Sequence, residues 1–297
     1  MAEISSKKEY ILKNNYLTLT VKKNGAEMVS LKKDNTEYVW QANTQFWARH
    51  APILFPIVGR LIDNEYLYKG QRYTMNQHGF ARDSDFEVID KTDNSICLEL
   101  SSTEKSKKIY PFNFKLQVTY TLEDKSLRTE YTIINPSKND DLYFSIGAHP
   151  AFNCPFEEGH SRNEYQLIFD KQLTPESDVI EDGLRCTKTS KVFEEKGLLT
   201  VHNSLFDNDA IIFNPNPFSK VTFVHKPSQK AYMSVAFKNY PYLGIWSSNQ
   251  DAPFVCIEPW HGITDHKDHN KELPQKEGVI KLVANEKFSC EFTVEVL

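Results

Sequence analysis

Residues 114–134 read FKLQVTYTLEDKSLRTEYTII, and this stretch decides the fold class. Apolar residues occupy every second position over 114–122, and the pattern repeats over 127–133 with one threonine in the series. A period of two is typical of a β-strand that buries one face. The polar residues 123–126 interrupt the alternation as a turn does. The stretch therefore predicts two antiparallel strands joined as a hairpin.

The same alternation recurs along the 297-residue chain. Residues 17–21 alternate, and Asn24-Gly25 supplies the positive φ of a hairpin turn before residues 28–31. No window has the 3.6-residue apolar period of an amphipathic helix. We therefore expect an all-β protein, built as a large antiparallel β-sandwich. Further strands are predicted at 96–100, 165–169, 210–213, 221–225, 232–237, 243–246, 254–258 and 288–296.

Two stretches depart from the strand pattern without marking a domain boundary. Residues 154–163 combine Pro, Gly and charged residues, and residues 173–203 are polar, so both are expected to be irregular. Neither has the composition of a flexible linker, and no fixed-period repeat is present. We therefore expect a single domain that spans residues 1–297.

The composition limits the classes of partner. The 35 Lys and Arg residues against 40 Asp and Glu give a formal charge of −5, which predicts no general attraction for nucleic acid or a membrane. Five widely spaced cysteines without a CxxC pair favour a reducing compartment. Residues 1–23 lack the apolar core of a signal peptide, and no stretch approaches the roughly 18 apolar residues of a membrane helix. We expect a cytoplasmic protein, and the oligomeric state stays open.

Four short segments place ionisable residues beside glycine, proline or aromatic residues. The first, FPIVGR at 55–60, ends an apolar run in Arg60, whose guanidinium offers donors to hydroxyls or carboxylates. A structural ion pair explains Arg60 equally well. The second, NQHGFAR at 76–82, sets His78 before a glycine that permits a tight turn. A capped turn histidine is as plausible there as a functional one.

The third segment, SIGAHPAFN at 145–153, holds His149 between small residues and a proline. Proline cannot donate to a β-ladder, so the segment is expected at a strand end or edge that faces a cleft. A packed structural histidine is the less attractive interpretation, because Gly147 and Ala148 leave space beside it.

The fourth segment, FVCIEPW at 254–260, is apolar except for Glu258, which shares a strand face with Phe254 and Cys256. Burial raises the pKa of a carboxyl toward the range that a general acid or base requires. A buried ion pair is the alternative explanation for Glu258. Trp260 is near enough to offer a stacking surface to a sugar.

A histidine-rich loop, HGITDHKDH at 261–269, resembles a metal cluster at first sight. Its spacing matches no standard zinc site, and the nearby lysines indicate a solvated loop, so no metal is expected there. The chain also lacks GxGxxG, GxxxxGK[ST] and GxSxG. Because these motifs are lacking, we expect no nucleotide cofactor and no α/β-hydrolase triad.

In this order on an all-β chain, the four segments resemble the aldose 1-epimerase (galactose mutarotase) family, and within it the LacX-type branch. FDNDA at 206–210 falls where that family has a sugar-binding aspartate, and we favour Asp209 over Asp207. The resemblance covers nearly the whole chain and implies the galactose mutarotase-like supersandwich fold. The matching motifs are Gly59-Arg60, His78-Gly79, the HPAFN of 149–153 and the CIEP of 256–259.

The resemblance implies that the protein interconverts the α and β anomers of an aldose. Glu258 would be the base that removes the proton of the anomeric hydroxyl, and His149 the acid that protonates the ring oxygen. The ring would open, C1 would rotate about C1–C2, and the ring would reclose on the other face. His78 would hydrogen-bond the ring region, and Arg60 and Asp209 would hold hydroxyls. This chemistry requires no metal, nucleotide or other cofactor.

The sequence leaves the sugar open. The second arginine of the usual mutarotase Gly-Arg segment is missing, because LIDN at 61–64 follows Arg60, and Trp260 after Glu-Pro is also atypical, so galactose is not specified. The HGFAR of 78–82 resembles the hexose-6-phosphate 1-epimerase branch. There Arg82, with a second cation such as Lys226 or Lys230, would bind a phosphate.

Two other classes of function remain as alternatives. The first is a sugar-binding protein without catalysis on the same fold, because one fold hosts many functions. The second is a glycoside-processing domain, whose chemistry ordinarily uses two carboxylates. Glu258 is the one clear candidate carboxylate, which disfavours the second alternative.

Overall fold

The computed structural model describes residues 8–249 and 251–297. Within these ranges its strands, in chain order, are β1 (Glu9–Lys13), β2 (Leu17–Lys22), β3 (Met28–Lys33), β4 (Thr36–Glu37), β5 (Ile53–Leu54), β6 (Glu65–Tyr68), β7 (Gln71–Thr74), β8 (Glu87–Lys91), β9 (Ser95–Ser101), β10 (Lys115–Glu123), β11 (Ser126–Ile134), β12 (Leu142–Phe144), β13 (Ile146–Ala148), β14 (Ala151–Asn153), β15 (Tyr165–Phe169), β16 (Ser177–Glu181), β17 (Leu184–Ser190), β18 (Leu198–Thr200), β19 (Ile211–Phe213), β20 (Lys220–His225), β21 (Lys230–Ala236), β22 (Tyr242–Trp246), β23 (Phe254–His261), β24 (Ile280–Leu282) and β25 (Lys287–Val296).

Helical structure in the described ranges is limited to single turns. None of these turns has the length or the apolar character that a helix needs to cross a lipid bilayer. The turns are 3₁₀-helices at Ile62–Asn64, Ala81–Asp83, Ser106–Lys108, Arg162–Glu164, Asn203–Phe206 and Leu273–Gln275. The prediction of an all-β chain is therefore confirmed.

Two large antiparallel sheets form the body of the molecule. One has nine strands in the order β18-β15-β20-β21-β25-β11-β10-β9-β8. The other has eight strands, with the path β17-β16-β19-β22-β23-β13-β5 and with β14 also paired to β23. The main hydrophobic core takes side chains from both sheets, including Leu116 and Val294 from the first and Leu243 and Ile257 from the second. This arrangement is the predicted antiparallel sandwich.

The hairpin predicted from residues 114–134 is β10 and β11, paired from Lys115↔Ile134 to Glu123↔Ser126. Leu116 and Val118 are fully buried, whereas Gln117 between them is half-buried. Burial of one such side chain contributes roughly 1.5–3 kcal/mol, so the alternating pattern fixes which face of the hairpin turns inward.

Strand β23 carries the alternation that matters for function. Val255 and Ile257 enter the main core between the sheets. Phe254 and Cys256 belong to a separate cluster on the opposite face, as predicted, and Glu258 shares that face by its position in the strand. The eight-stranded sheet therefore has one face in the core and a second face that is available for a site.

The expectation of an irregular segment over 173–203 is wrong, because this segment contains β16, β17 and β18. Strands β16 and β17 end the eight-stranded sheet, and β18 ends the nine-stranded sheet. Edge strands bury little of their surface, and most of β17 is exposed, so their sequences lack the apolar alternation of central strands. Residues 154–163 contain no strand, as expected.

Candidate active site

A cavity of about 470 Å³ lies on the face of the eight-stranded sheet that is turned away from the main core. Strands β16, β19, β22 and β23 contribute to it, together with the loops that precede β5 and follow β5, β13 and β23. Its lining residues are Trp47, Gly59, Gln77, His78, Arg82, His149, Ile180, Gly183, Asp209, Ala210, Ile212, Trp246, Ser248, Glu258, Trp260 and Thr264. Six residues predicted from sequence meet here, namely His78, Arg82, His149, Asp209, Glu258 and Trp260.

His149 and Glu258 face each other in this cavity. Nε2 of His149 lies 3.2 Å from Oε2 of Glu258, and the two residues are 7% and 1% exposed. Glu258 lies on β23, and His149 directly follows β13, which pairs with β23 through Gly147↔Trp260. The pairing of these strands therefore brings the two predicted catalytic groups together. Oε2 of Glu258 makes no hydrogen bond within the described protein.

Burial decides the protonation of this pair. It lowers the pKa of His149 to about 3. Burial, together with the charge of Asp209, raises the pKa of Glu258 well above its ordinary value. Both shifts favour the uncharged forms over an ion pair, because few donors surround the carboxylate to offset its desolvation. In these uncharged forms the pair holds one transferable proton, which resides on Glu258.

Two tryptophans enclose the imidazole of His149. The Trp47 ring stacks on it at 4.9 Å with an interplanar angle of 25°, and the Trp246 ring meets it edge-on at 5.5 Å. Both indoles are partly exposed and line the cavity. Neither tryptophan was predicted from the sequence. Trp47 offered a signal, because it follows Phe46 in a polar segment outside the strand alternation.

His78 is held in one tautomer beside the pair. Its Nδ1 accepts a hydrogen bond from the backbone N–H of Gly59 at 3.1 Å, so the ring proton is assigned to Nε2. Burial, reinforced by the nearby His149, lowers the pKa of His78 well below its usual value and keeps the ring neutral. Gly79 follows at φ 71°, and a Cβ there would lie 2.2 Å from the Phe55 carbonyl oxygen. Only glycine fits this turn.

The guanidinium of Arg82 forms a positively charged end of the cavity. Its Nη2 donates to the carbonyl of Gln77 at 2.7 Å, while its Nε is buried without a hydrogen bond and lies 3.8 Å from Asp83. Arg49 also reaches Asp83, with a donor distance of 2.8 Å. Two cations therefore share one carboxylate at this end. The Arg49 contribution was not anticipated from sequence.

The lysines that sequence analysis suggested for a phosphate lie elsewhere. Neither Lys226 nor Lys230 belongs to the cavity lining. The ammonium of Lys230 is 2.6 Å from Glu157 and lies over the ring of Tyr232. The expectation that these lysines assist Arg82 is therefore wrong, because the turn between β20 and β21 does not reach the cavity.

Arg60 also lies outside the cavity lining, although Gly59 is part of it. Its Nη1 donates to the carbonyl oxygen of Asp182 at 3.0 Å. The backbone N–H of Arg60 donates to Thr264, which fixes the loop after β5 against the loop after β23. The position of Arg60 thus supports a structural role and gives no support to the predicted contact with sugar hydroxyls.

The two aspartates near residue 208 occupy different places. Asp209 lines the cavity, and its Oδ1 accepts a hydrogen bond from the N–H of Ala210 at 2.7 Å. Asp207 belongs to the adjoining groove and is absent from the cavity lining. Of the two carboxylates, only Asp209 lines the cavity, and its contact with a ligand stays a prediction.

Trp260 forms part of the cavity floor. It is 5% exposed, and its indole N–H donates to the carbonyl of Ala148 at 3.2 Å. A Cβ on Gly147 or Gly244 would lie 2.6 or 2.4 Å from the indole ring. The space beside His149 that the sequence indicated is therefore filled by Trp260, which leaves little of this ring for stacking on a sugar.

The histidine-rich loop at 261–269 makes structural contacts. Asp265 is buried and lies 2.7 Å from the ammonium of Lys276, which is also buried. His266 lies 3.5 Å from Asp268. The ring of His261 packs against Tyr240, and burial lowers the pKa of this histidine to about 4. Of this loop, Thr264 alone reaches the cavity lining.

Comparisons with known proteins agree with this geometry. The family model described as Aldose 1-epimerase matches residues 8–278. The plasmid-encoded protein LacX of Lactococcus lactis subsp. lactis is 34% identical over 296 residues, covering 96% of this chain and 98% of LacX.

Two solved structures are similar along nearly the whole chain. A galactose mutarotase related enzyme from Lactobacillus acidophilus is 33% identical with a TM-score of 0.90, covering 97% of each chain. A galactose mutarotase-like protein from Lactobacillus casei is 31% identical with a TM-score of 0.90, covering 97% of this chain and 100% of the other. The chain therefore belongs to the aldose 1-epimerase family, as its sequence motifs predicted.

Proposed function

We propose that the protein is an aldose 1-epimerase, which interconverts the α and β anomers of a hexose by opening and reclosing the ring. The contact between His149 and Glu258 on the cavity carries this proposal. The anomeric hydroxyl and the ring oxygen are bonded to the same carbon. A carboxyl and an imidazole that touch each other are therefore placed to reach both oxygens of one bound sugar.

The single proton of the pair is enough for the reaction. When the sugar binds, the proton moves from Glu258 to His149, and hydrogen bonds to the two sugar oxygens stabilise the charged pair. Glu258 then takes the proton of the anomeric hydroxyl while His149 protonates the ring oxygen, and the C1–O5 bond breaks. The products are an open-chain aldehyde and a neutral pair, which is the form that burial favours.

Ring closure reverses these transfers. After rotation about C1–C2, the ring hydroxyl attacks the other face of the aldehyde. Its proton passes to His149, and Glu258 returns its proton to the carbonyl oxygen, so no proton is gained or lost over the cycle. Each proton-transfer partner contributes about 10²–10⁴-fold in rate.

The other lining residues bind and orient the sugar. Nε2 of His78 lies 3.2 Å from the side-chain amide of Gln77, so a sugar would take the place of that amide as the partner of this nitrogen. Asp209 accepts hydrogen bonds from hydroxyls. The exposed parts of Trp47 and Trp246 offer apolar surfaces to the C–H faces of the ring. None of these steps requires a cofactor.

The second candidate function is a hexose-6-phosphate 1-epimerase. The buried Nε of Arg82, which makes no hydrogen bond in the described protein, and the neighbouring Arg49 favour it. A guanidinium binds phosphate through paired N–H donors, and here Arg82 and Arg49 share the single carboxylate of Asp83. The catalytic pair would work in the same way on either substrate.

Measurement of anomer equilibration tests both candidates. Polarimetry on freshly dissolved α-D-glucose and α-D-galactose, and exchange NMR on glucose 6-phosphate, are run with and without protein. Acceleration on a free hexose supports the first function, and acceleration confined to the phosphate supports the second. No acceleration on any of the three, with sugar binding retained, would indicate the sugar-binding protein without catalysis.

A further inference from the structure

A thiol lies beside the catalytic pair. Cys256 is two residues before Glu258 on β23, so both side chains leave the same face of the strand. Cys256 also pairs with Ala151 of β14, the strand that begins two residues after His149. The imidazole, thiol and carboxylate donor atoms all lie within 4.8 Å of one another. The mechanism above uses the imidazole and the carboxyl and leaves the thiol without a function.

The spacing of the imidazole and carboxylate donors is close to that of metal ligands. Zinc binds histidine nitrogen and carboxylate oxygen at about 2.0–2.2 Å, so two such ligands at the tetrahedral angle are separated by about 3.3–3.5 Å. Nε2 of His149 and Oε2 of Glu258 are 3.2 Å apart. This oxygen is buried and makes no hydrogen bond within the described residues.

The donor set also matches a particular class of ion. Imidazole, thiolate and carboxylate together favour Zn²⁺ over Mg²⁺ or Ca²⁺, which prefer oxygen ligands alone. Cys256 is fully buried among aromatic side chains that include Trp40 and Phe254. His149 and Glu258 line the cavity, so an ion would reach them from solvent and keep a fourth position open toward the sugar.

We propose that His149, Cys256 and Glu258 form an inhibitory site for a thiophilic divalent cation, with Zn²⁺ as the representative ion. Binding replaces the thiol proton and the carboxyl proton, which pass to water, by bonds to the metal. The ion then occupies both groups that exchange protons with the sugar. Inhibition rests on the proposed epimerase function, whereas metal binding by the three side chains does not.

Direct binding is tested first with Co²⁺, whose thiolate complexes have a characteristic charge-transfer absorption. The wild-type protein should develop this band on titration and lose it when Zn²⁺ is added. Cys256→Ser should abolish the band. Cys154→Ser is the matched control, because Cys154 is equally buried but packs in the main core, and it should keep the band. Absence of the band from the wild-type protein would overturn the proposal whatever the protein catalyses.

Inhibition is tested on whichever sugar the protein epimerises. Zn²⁺ should slow the wild-type reaction, and a chelator should restore the rate. Saturating sugar should raise the Zn²⁺ concentration that gives half-inhibition. Each variant is compared with its own metal-free rate. Half-inhibition of Cys256→Ser should require at least about tenfold more Zn²⁺ than half-inhibition of wild type, whereas Cys154→Ser should be as sensitive as wild type. Equal sensitivity of wild type and Cys256→Ser would exclude Cys256 as a ligand and overturn the proposal.

Discussion

Nε2 of His149 is 3.2 Å from Oε2 of Glu258, and burial favours the uncharged form of both groups. The contact exists because β13 and β23 pair, which places the end of one strand against the side of the other. With both groups uncharged, the pair holds a single transferable proton on Glu258. In the proposed mechanism the pair moves this proton between two oxygens of a sugar.

Removal of either proton-transfer group should abolish catalysis while the fold is retained. We expect Glu258→Gln and His149→Asn each to lower kcat by at least about 10²–10⁴-fold. Glutamine has the volume of Glu258 and, like the protonated carboxyl, is uncharged. The thermal unfolding curve should therefore stay close to wild type. His266→Ala is the control, since this histidine contacts Asp268 outside the cavity. Full activity in Glu258→Gln would refute the mechanism.

The pH dependence of kcat/KM should show no step at the pKa of an ordinary histidine. A second proton binds the pair only near pH 3, because burial lowers the pKa of His149 to about 3. The single proton leaves Glu258 only well above pH 4.5, because burial raises the pKa of that carboxyl. We therefore expect kcat/KM, corrected for the uncatalysed rate, to show no increase with a midpoint near pH 6.5 and to fall on the alkaline side as the proton leaves Glu258. A rise centred near pH 6.5 would contradict this assignment.

Trp47 should affect turnover more than sugar binding, because its ring stacks on His149. Stacking and cation–π contact with the protonated imidazole contribute about 0.5–2 kcal/mol, which corresponds to roughly 2- to 30-fold in rate. Trp47→Leu should lower kcat by that factor. Trp47→Phe keeps an aromatic ring and should retain most of the wild-type kcat. Steady-state kinetics separate the effects, and a change in KM alone would assign Trp47 to sugar binding only.

The buried ion pair of Lys276 and Asp265 should be important for stability. Lys276→Met leaves the carboxylate of Asp265 buried without its cation, which costs about 3–5 kcal/mol. The double variant Lys276→Met/Asp265→Leu should recover part of this loss, because it removes both charges. Urea unfolding measures the effect. Lys281→Met is the control, since its pair with Asp141 is exposed and should contribute little.

Chelation should leave the epimerase rate unchanged, because the proposed proton transfers need no metal. The test is polarimetry before and after dialysis against EDTA, with the protein concentration held constant. A rate that falls on dialysis and returns with added Zn²⁺ would show that the metal is a requirement instead of an inhibitor.

Local sequence pattern was enough for the fold class and for the central pair. The period-two alternation over 114–134 predicts a strand hairpin whatever lies elsewhere in the chain, because side chains alternate between the two faces of any strand. Glu258 in an apolar strand and His149 before a proline were each unusual in their immediate context. Such local conflicts with burial are expected at functional sites.

Tertiary structure alone decided which other residues reach the cavity. Arg60 matches a family motif but turns to Asp182, whereas Trp47 and Trp246 contact His149 without a motif that marked them. The pairing of strands far apart in the chain decides which loops lie next to each other. An alternation with a period of two specifies which face of a strand is buried, but it does not specify the neighbouring strand. The sequence by itself therefore determined the all-β fold and the two residues that are proposed to transfer protons. Long-range packing determined their contact and the residues that surround them.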